Sequence, residues 1–443
     1  MNSILSISPI DGRYRSITNV LEGYFSEYAL FKYRTIIEID YFISLCKELN
    51  IPDIDINYLN SIKSNFSKDE CLKIKQIETK INHDVKSVEI YIGNKFMQTG
   101  HLHKNLIHFG LTSQDINNVS ISLSIKDYLN EVYFKNINNI LNLINSSSEA
   151  WKDVVMISKT HGQSAVPTTM GKEFKVFSYR LQKELNNLQK LEIYSKFGGA
   201  VGNLNAHYLA YPDTNWENFA DTFLNNMGLK RNQFTTQIDN YEGLSIIFDN
   251  IKRINTILVD MCRDIWTYIS MDYLKQKINR NEVGSSTMPQ KVNPINFENA
   301  EGNLLMSITL LEFLSRKLPI SRLQRDLTDS TTLRNLGVVF GWCEIAYHNI
   351  NIGLQKININ PEKINYDNDN NLSVLTEGIQ TLLRKWGDEN AYDKLKGLSR
   401  TNNKLTQTNL NEFIDTLNLD NEKVNELKNI KIENYIGNSN KYL

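Results

Sequence analysis

Apolar residues along much of this chain recur at gaps of three and four. Ile247, Ile251, Ile254, Leu258, Met261, Ile265 and Tyr268 alternate fours and threes, the seam of a helix packed nearly parallel to others. Between Gln114 and Asn145, residues Ile116, Val119, Leu123, Leu129, Val132, Ile137, Ile140 and Ile144 mark one helical face. Asn299 to Leu318 and Thr332 to Leu354 read as further helices, whereas period-two strand patterns are short and few. With eight prolines in 443 residues, long uninterrupted helices are permitted. Helices of about 25 to 35 residues exceed the usual length of about 11 to 12. They suit a helical bundle extended across subunits, or else ordinary buried helices within one monomer, with the two long seams and short polar connections favouring the first.

Two breaks divide the pattern. Gly110 to Ser113 precedes the first long helix, and the polar, Asn/Asp-rich stretch Asn358 to Asn371 follows the last. The expectation is an all-α chain of three domains: 1–110, 111–360 with the long helices, and 361–443.

Polar islands interrupt the helices: INHDVKSVE (81–89), HFGLTSQDIN (108–117), KTHGQSAVP (159–167) and GSSTMPQKVNP (284–294). A fifth cluster, SRLQRDLTDSTTLRN (321–335), is rich in Arg, Ser, Thr and Asp. His83 and His108 lie beside apolar residues, as structural histidines do. His161 stands among Thr, Gly, Gln and Ser, a setting in which an imidazole can serve as general acid or base. TSQD at 112–115 reads as a helix start, with Thr112 or Ser113 capping and Asp115 in the first turn. Such a terminus can also hold a carboxylate or phosphate. Arg322, Arg325 and Arg334 suit bidentate anion binding, and equally a network with Asp326 and Asp329. Gly284, Ser285 and Ser286 open a loop that is neither a G-x-S-x-G elbow nor a nucleotide-binding phosphate loop.

Composition narrows the partners. Lys plus Arg is 49 against 50 for Asp plus Glu, a net charge of -1, so no basic field exists for nucleic acid or anionic membrane. Any anion site must be local. The cysteines Cys46, Cys71, Cys262 and Cys343 lack metal-ligand spacing. No apolar run approaches the roughly 20 residues of a membrane span, and the N-terminus lacks the basic and apolar regions of a secretory signal. A cytoplasmic protein is expected.

GSSTMPQKVNP resembles the signature loop of the fumarase/aspartase superfamily, G-S-S-x-M-P-x-K-x-N. THGQ, TSQDIN and NHDVKSVE are similar to its adenylosuccinate lyase branch. PIDGRY near the start, FTTQID at 234–239 and SRLQRDLTDSTTLRN resemble the bacterial form. The resemblance runs from about Pro9 to Asn335 and, more weakly, through NYIG at 434–437. It implies a three-domain all-α subunit in a homotetramer whose active sites combine loops from three subunits. It implies β-elimination of fumarate from adenylosuccinate, giving AMP. The succinylocarboxamide ribotide gives the aminoimidazole carboxamide ribotide. It also implies small-molecule substrates with no metal or organic cofactor.

Roles follow from the same resemblance. Ser285 is the expected general base and His161 the general acid. Lys291 and Asn293 are expected to stabilise the negative charge that builds on the succinyl carboxylate. Glu298 is expected to pair with the acid histidine, and His83 and His108 to bind and orient substrate. Further substrate contacts fall on Arg13, Tyr14, Asn82, Asp84, Thr112, Ser113, Gln237, Arg325, Ser330, Thr331, Thr332, Leu333 and Arg334. Two positions depart from the branch: Gln290 replaces its usual His, and Asn296 its usual Asp. Gln290 also occurs in argininosuccinate lyases, which makes that activity, or that of another fumarate-releasing lyase of the superfamily, the alternative. TSQD and THGQ favour the first reading.

Overall fold

The computed structural model describes residues 3–100, 103–277, 287–288, 290–400 and 404–441. Ser285 and its neighbours 278–286 lie outside these. Helices dominate. The longest are Glu27–Glu48, Met170–Gln189, Glu242–Ser270, Ile295–Lys317 and Leu336–Lys356. Strands form three two-stranded ribbons among the described residues, and the largest is an antiparallel hairpin of Val155–Thr160 with Gln163–Thr169.

The periodic seams become buried faces. In Glu242–Ser270, the seam residues Ile247 to Ile265 are buried and Tyr268 is half-buried. The helix expected over 114–145 is interrupted: Ser113–Tyr128 passes into a π-turn, Leu129–Tyr133, and then into Phe134–Ala150. The π-turn takes up one extra residue per turn, so Tyr128, Leu129, Val132 and Tyr133 all reach the interior. The helix expected from Thr332 starts instead after a break at Arg334 and Asn335, with a short helix Thr328–Leu333 before it.

The chain groups into two compact units. The first comprises 1–137, 184–256 and 302–348, and the second 138–183, 257–301 and 349–443. The first unit's core packs Phe31, Tyr41, Phe42, Phe96, Trp216 and Phe223. Side-chain caps start its helices: Ser26 Oγ accepts from Ala29 N–H at 3.1 Å, and His83 Nδ1 from Lys86 N–H at 3.1 Å. A second aromatic contact stacks Phe25 on Phe340, centroids 4.8 Å apart. In the second unit, Ile157 of the hairpin packs with Leu375, Ile379, Leu383, Leu410 and Ile414. Asn368 Nδ2 donates to Val155 O at 2.9 Å and Ser164 Oγ to Asn371 Oδ1 at 3.0 Å, so the hairpin is rooted by both strands. No helix is long and apolar enough to cross a membrane among the described residues.

Candidate functional site

A cavity of about 490 Å³ opens in the first unit. Asn82, His83 and Asp84 reach it because the helix Lys68–Ile81 ends on Asn82 in the left-handed region (φ 54°) and the next helix begins at Asp84. Asparagine tolerates that conformation better than most residues. Ser113 enters from the start of its helix. Arg325, Ser330, Leu333 and Arg334 enter from the arginine-rich cluster. Eight expected contact residues from three separate islands therefore line one cavity. Gln237 joins through its side chain, whose Oε1 accepts from Arg325 Nη1 at 3.4 Å.

Charge is concentrated at this cavity. Asp84 Oδ2 accepts from Arg34 Nη2 at 2.7 Å and Arg334 Nη2 at 3.2 Å. Burial alone would raise the Asp84 pKa, but the charge and hydrogen bond of Arg34 outweigh it and hold the carboxyl below its ordinary value. The hydrogen bonds of Arg325 go to neutral groups, with Nη2 donating to Ser330 Oγ at 3.1 Å and Nη1 to Gln237 Oε1, while its ion pair to Asp329 Oδ1 is long at 4.0 Å from Nε. A guanidinium so placed keeps geometry suited to a carboxylate or phosphate. Arg322 instead pairs with Asp326 on the surface at 3.0 Å. The spacing of the three arginines left both uses open; Arg325 and Arg334 line the cavity and Arg322 does not.

The histidines take different positions. His83 uses Nδ1 as the acceptor of its helix cap, so in the neutral ring Nε2 carries the proton and acts as a donor. His108, in the left-handed region at φ 57°, sets Nδ1 2.6 Å from Glu38 Oε1. Burial pushes its pKa down, but the charge and hydrogen bond of Glu38 dominate together and raise it. His108 and Thr112 are not among the cavity-lining residues, although Thr112 directly precedes Ser113. Thr331 and Thr332 turn their hydroxyls to nearby backbone carbonyls, Leu327 O just before their short helix and Asp329 O within it. Arg13 lies over the ring of Tyr14 at 5.9 Å. That segment is anchored where Ile10 packs against Gly341 and Ile10 O accepts from Thr18 Oγ1 at 2.7 Å.

His161, Lys291, Asn293 and Glu298 belong to the second unit. His161 and Gly162 form the two-residue tip of the hairpin, both at positive φ (52° and 73°), as in a type I′ turn. The imidazole is exposed there. Glu298 Oε1 accepts from Trp266 Nε1 at 3.0 Å. Lys291 follows a turn closed by its N–H on Met288 O at 3.1 Å. Asn296 has a use for its amide: Nδ2 donates to Asn349 Oδ1 at 2.9 Å, and Asn349 Nδ2 donates on to Asn299 Oδ1 at 3.0 Å. An aspartate at 296 would lack that donor. Among the described residues, no group of three or more His, Cys, Asp or Glu is arranged to hold a metal ion.

The sequence patterns did not single out Arg34. It is buried, donates through Nε to Asn117 Oδ1 at 2.8 Å, and lines the cavity. A signal existed: Arg34 and Glu38, four residues apart on one face of the helix Glu27–Glu48, stand among Phe31, Ile37, Tyr41, Phe42 and Leu45 and are both buried. Buried charges of this kind require partners.

Comparisons with known proteins bear on what this arrangement is. A family model described as "Lyase" matches residues 12–306, and one described as "Adenylosuccinate lyase C-terminal" matches 321–436. The chain is 47% identical to an adenylosuccinate lyase of Dictyostelium discoideum, covering 99% of this chain and 97% of that protein. It is 42% identical to that of Escherichia coli K12, with the same coverage. In fold it is similar to a 3-carboxy-cis,cis-muconate lactonizing enzyme from Pseudomonas putida (TM-score 0.75, 16% identity, covering 96% of this chain and 97% of the other). It is also similar to a fumarate lyase from Mesorhizobium sp. BNC1 (TM-score 0.73, 15% identity, covering 96% and 95%). Near-complete coverage at this identity, with both family models in register along one all-α chain, shows that the chain belongs to the adenylosuccinate lyase family.

Proposed function

We propose that this chain is a carbon–nitrogen lyase that cleaves adenylosuccinate to AMP and fumarate, and the succinylocarboxamide ribotide to the aminoimidazole carboxamide ribotide and fumarate. The observation that carries the reading is the cavity lined by Asn82, His83, Asp84, Ser113, Arg325, Ser330 and Arg334. Both substrates carry a phosphate and two carboxylates, and the arginine pair suits such anions. The match of 321–436 to an adenylosuccinate lyase C-terminal model favours these substrates over argininosuccinate.

The chemistry is an elimination. Ser285, as the alkoxide, takes the proton from the carbon β to the departing nitrogen. The C–H electron pair becomes the new C=C bond of fumarate. The C–N pair stays on the nitrogen, which His161 protonates. A serine hydroxyl is too weak an acid to do this in water. Lys291 and backbone N–H groups supply the stabilisation its alkoxide requires in a closed site. Lys291 and Asn293 also stabilise the carboxylate beside the carbanion, Glu298 supports the acid histidine, and His108 orients substrate. The active enzyme in this reading is a cytoplasmic homotetramer in which His161 and the Ser285 loop reach the cavity from neighbouring subunits. The exposed, firmly rooted His161 tip supports that use.

Ser285→Ala and His161→Ala are each expected to reduce turnover at least a thousandfold with unchanged helical circular dichroism. Mixing the two inactive variants is expected to restore a measurable fraction of activity. Near-full activity of Ser285→Ala would remove the base assignment, and no recovery from verified mixed tetramers would remove the sharing of sites.

A further inference from the structure

Lys196 is a fully buried lysine outside all the expected contacts. Its ammonium lies 2.6 Å from Asp115 Oδ1 and donates to Gly199 O at 2.6 Å. Asp115, equally buried, also accepts from Gly198 N–H at 2.8 Å, Gly199 N–H at 3.1 Å and Thr112 N–H at 2.8 Å. A charge pair taken out of water persists only where such bonds satisfy it. The pair is more than a plain helix cap, because it ties two distant segments of chain to one carboxylate.

The consequences run bond by bond towards the cavity. On one side Asp115 holds Thr112, and so the first turn that carries Ser113. On the other it holds the 198–202 loop. Gly202, at φ 84°, lets that loop lie on Thr235, where an added Cβ would stand 2.2 Å from Thr235 O. Ala200 O in this loop accepts from Gln237 Nε2 at 3.1 Å. With its amide nitrogen so engaged, Gln237 presents Oε1 to Arg325 Nη1. The Gln237 N–H is tied to Gln324 O, the residue before Arg325, at 3.2 Å.

We infer that Lys196, acting through Asp115, is a positioning residue for the proposed reaction. It sets Ser113 and, by way of Ala200 and Gln237, the Arg325 guanidinium for the anionic groups of a succinylated nucleotide. This rests on the reading of Ser113 and Arg325 as substrate contacts.

Lys196→Met keeps an unbranched side chain, one heavy atom shorter, and removes its charge. The expected result is a KM for adenylosuccinate raised at least tenfold, with kcat per folded site changed less than threefold. A lysine that only stabilised the fold would lower the folded fraction and apparent kcat at unchanged KM, and that outcome overturns the inference. If Lys196→Met does not yield folded protein, Lys196→Met combined with Asp115→Asn leaves no unpaired buried charge and is expected to show the same raised KM. A wild-type KM in the folded double variant also overturns it. Arg325→Gln separates the two levels. If it raises KM while the Lys196 variants do not, the inference fails and the site reading stands. If Arg325→Gln leaves KM unchanged, the site reading fails and takes the inference with it.

Discussion

Glu344 shows how a single buried group can couple this protein to pH. Its Oε1 accepts from Tyr128 Oη at 2.7 Å and its Oε2 from Asn136 Nδ2 at 2.6 Å. Burial outweighs both bonds and raises its pKa from 4.5 to about 7. The folded state therefore holds a proton that the unfolded state releases at lower pH. Its contribution to stability is complete below about pH 4.5 and is lost as pH rises through about 7. Glu344→Gln is expected to remove that loss, so the variant's melting temperature gains on wild type between pH 5 and pH 8. Parallel melting curves across that range would contradict this. Lys196 obeys the opposite constraint, since its charge is needed by Asp115. Removing one partner of such a buried pair costs about 3–5 kcal/mol, which is why the paired substitution accompanies the single one. Neither Glu344 nor Lys196 was legible as special in the sequence. A charged residue inside a helical or glycine-rich stretch carries no local mark of its partner, and both partners lie far away along the chain.

Element starts and breaks carry much of the site's geometry. Gly110 takes φ 69°, and a Cβ there would come within 2.6 Å of the buried His207 ring. That ring stands 2.9 Å by Nε2 from Tyr41 Oη, which donates to Phe109 O at 2.5 Å. With the tyrosine proton so used, His207 donates through Nε2, and burial keeps its pKa down at about 4. Gly110→Ala is expected to cost at least about 1–3 kcal/mol from the backbone conformation alone, plus the displacement of His207. Gly397→Ala, where the new methyl meets nothing within 4 Å, is expected to be neutral or mildly stabilising. Denaturant midpoints measure both, and equal midpoints would show that the contact does not constrain the loop. The break at 110–113 was readable from the sequence, because glycine and capping residues leave local signatures. The π-turn at 129–133 was not, since apolar residues at 129 and 132 fit an ordinary helix as well.

At the scale of the whole molecule, the long seams announced an all-α chain, and the heptad pattern of 247–268 became a buried face almost position by position. The islands were legible as places of chemistry because small, polar and charged residues interrupt those seams. Their grouping was not legible. Only the fold brings 82–84, 113 and 325–334 around one cavity, and only it separates Arg322, paired with Asp326 on the surface, from Arg325, which lines the cavity and hydrogen-bonds Ser330 and Gln237. Family membership makes adenylosuccinate the substrate to try first, and the proposed reading assigns that cavity to its anionic groups. The most direct test is turnover by the purified protein, following the loss of adenylosuccinate absorbance together with AMP and fumarate. The account predicts equimolar AMP and fumarate from adenylosuccinate and no cleavage of argininosuccinate. Folded protein that leaves adenylosuccinate intact, or that cleaves argininosuccinate in its place, would contradict it.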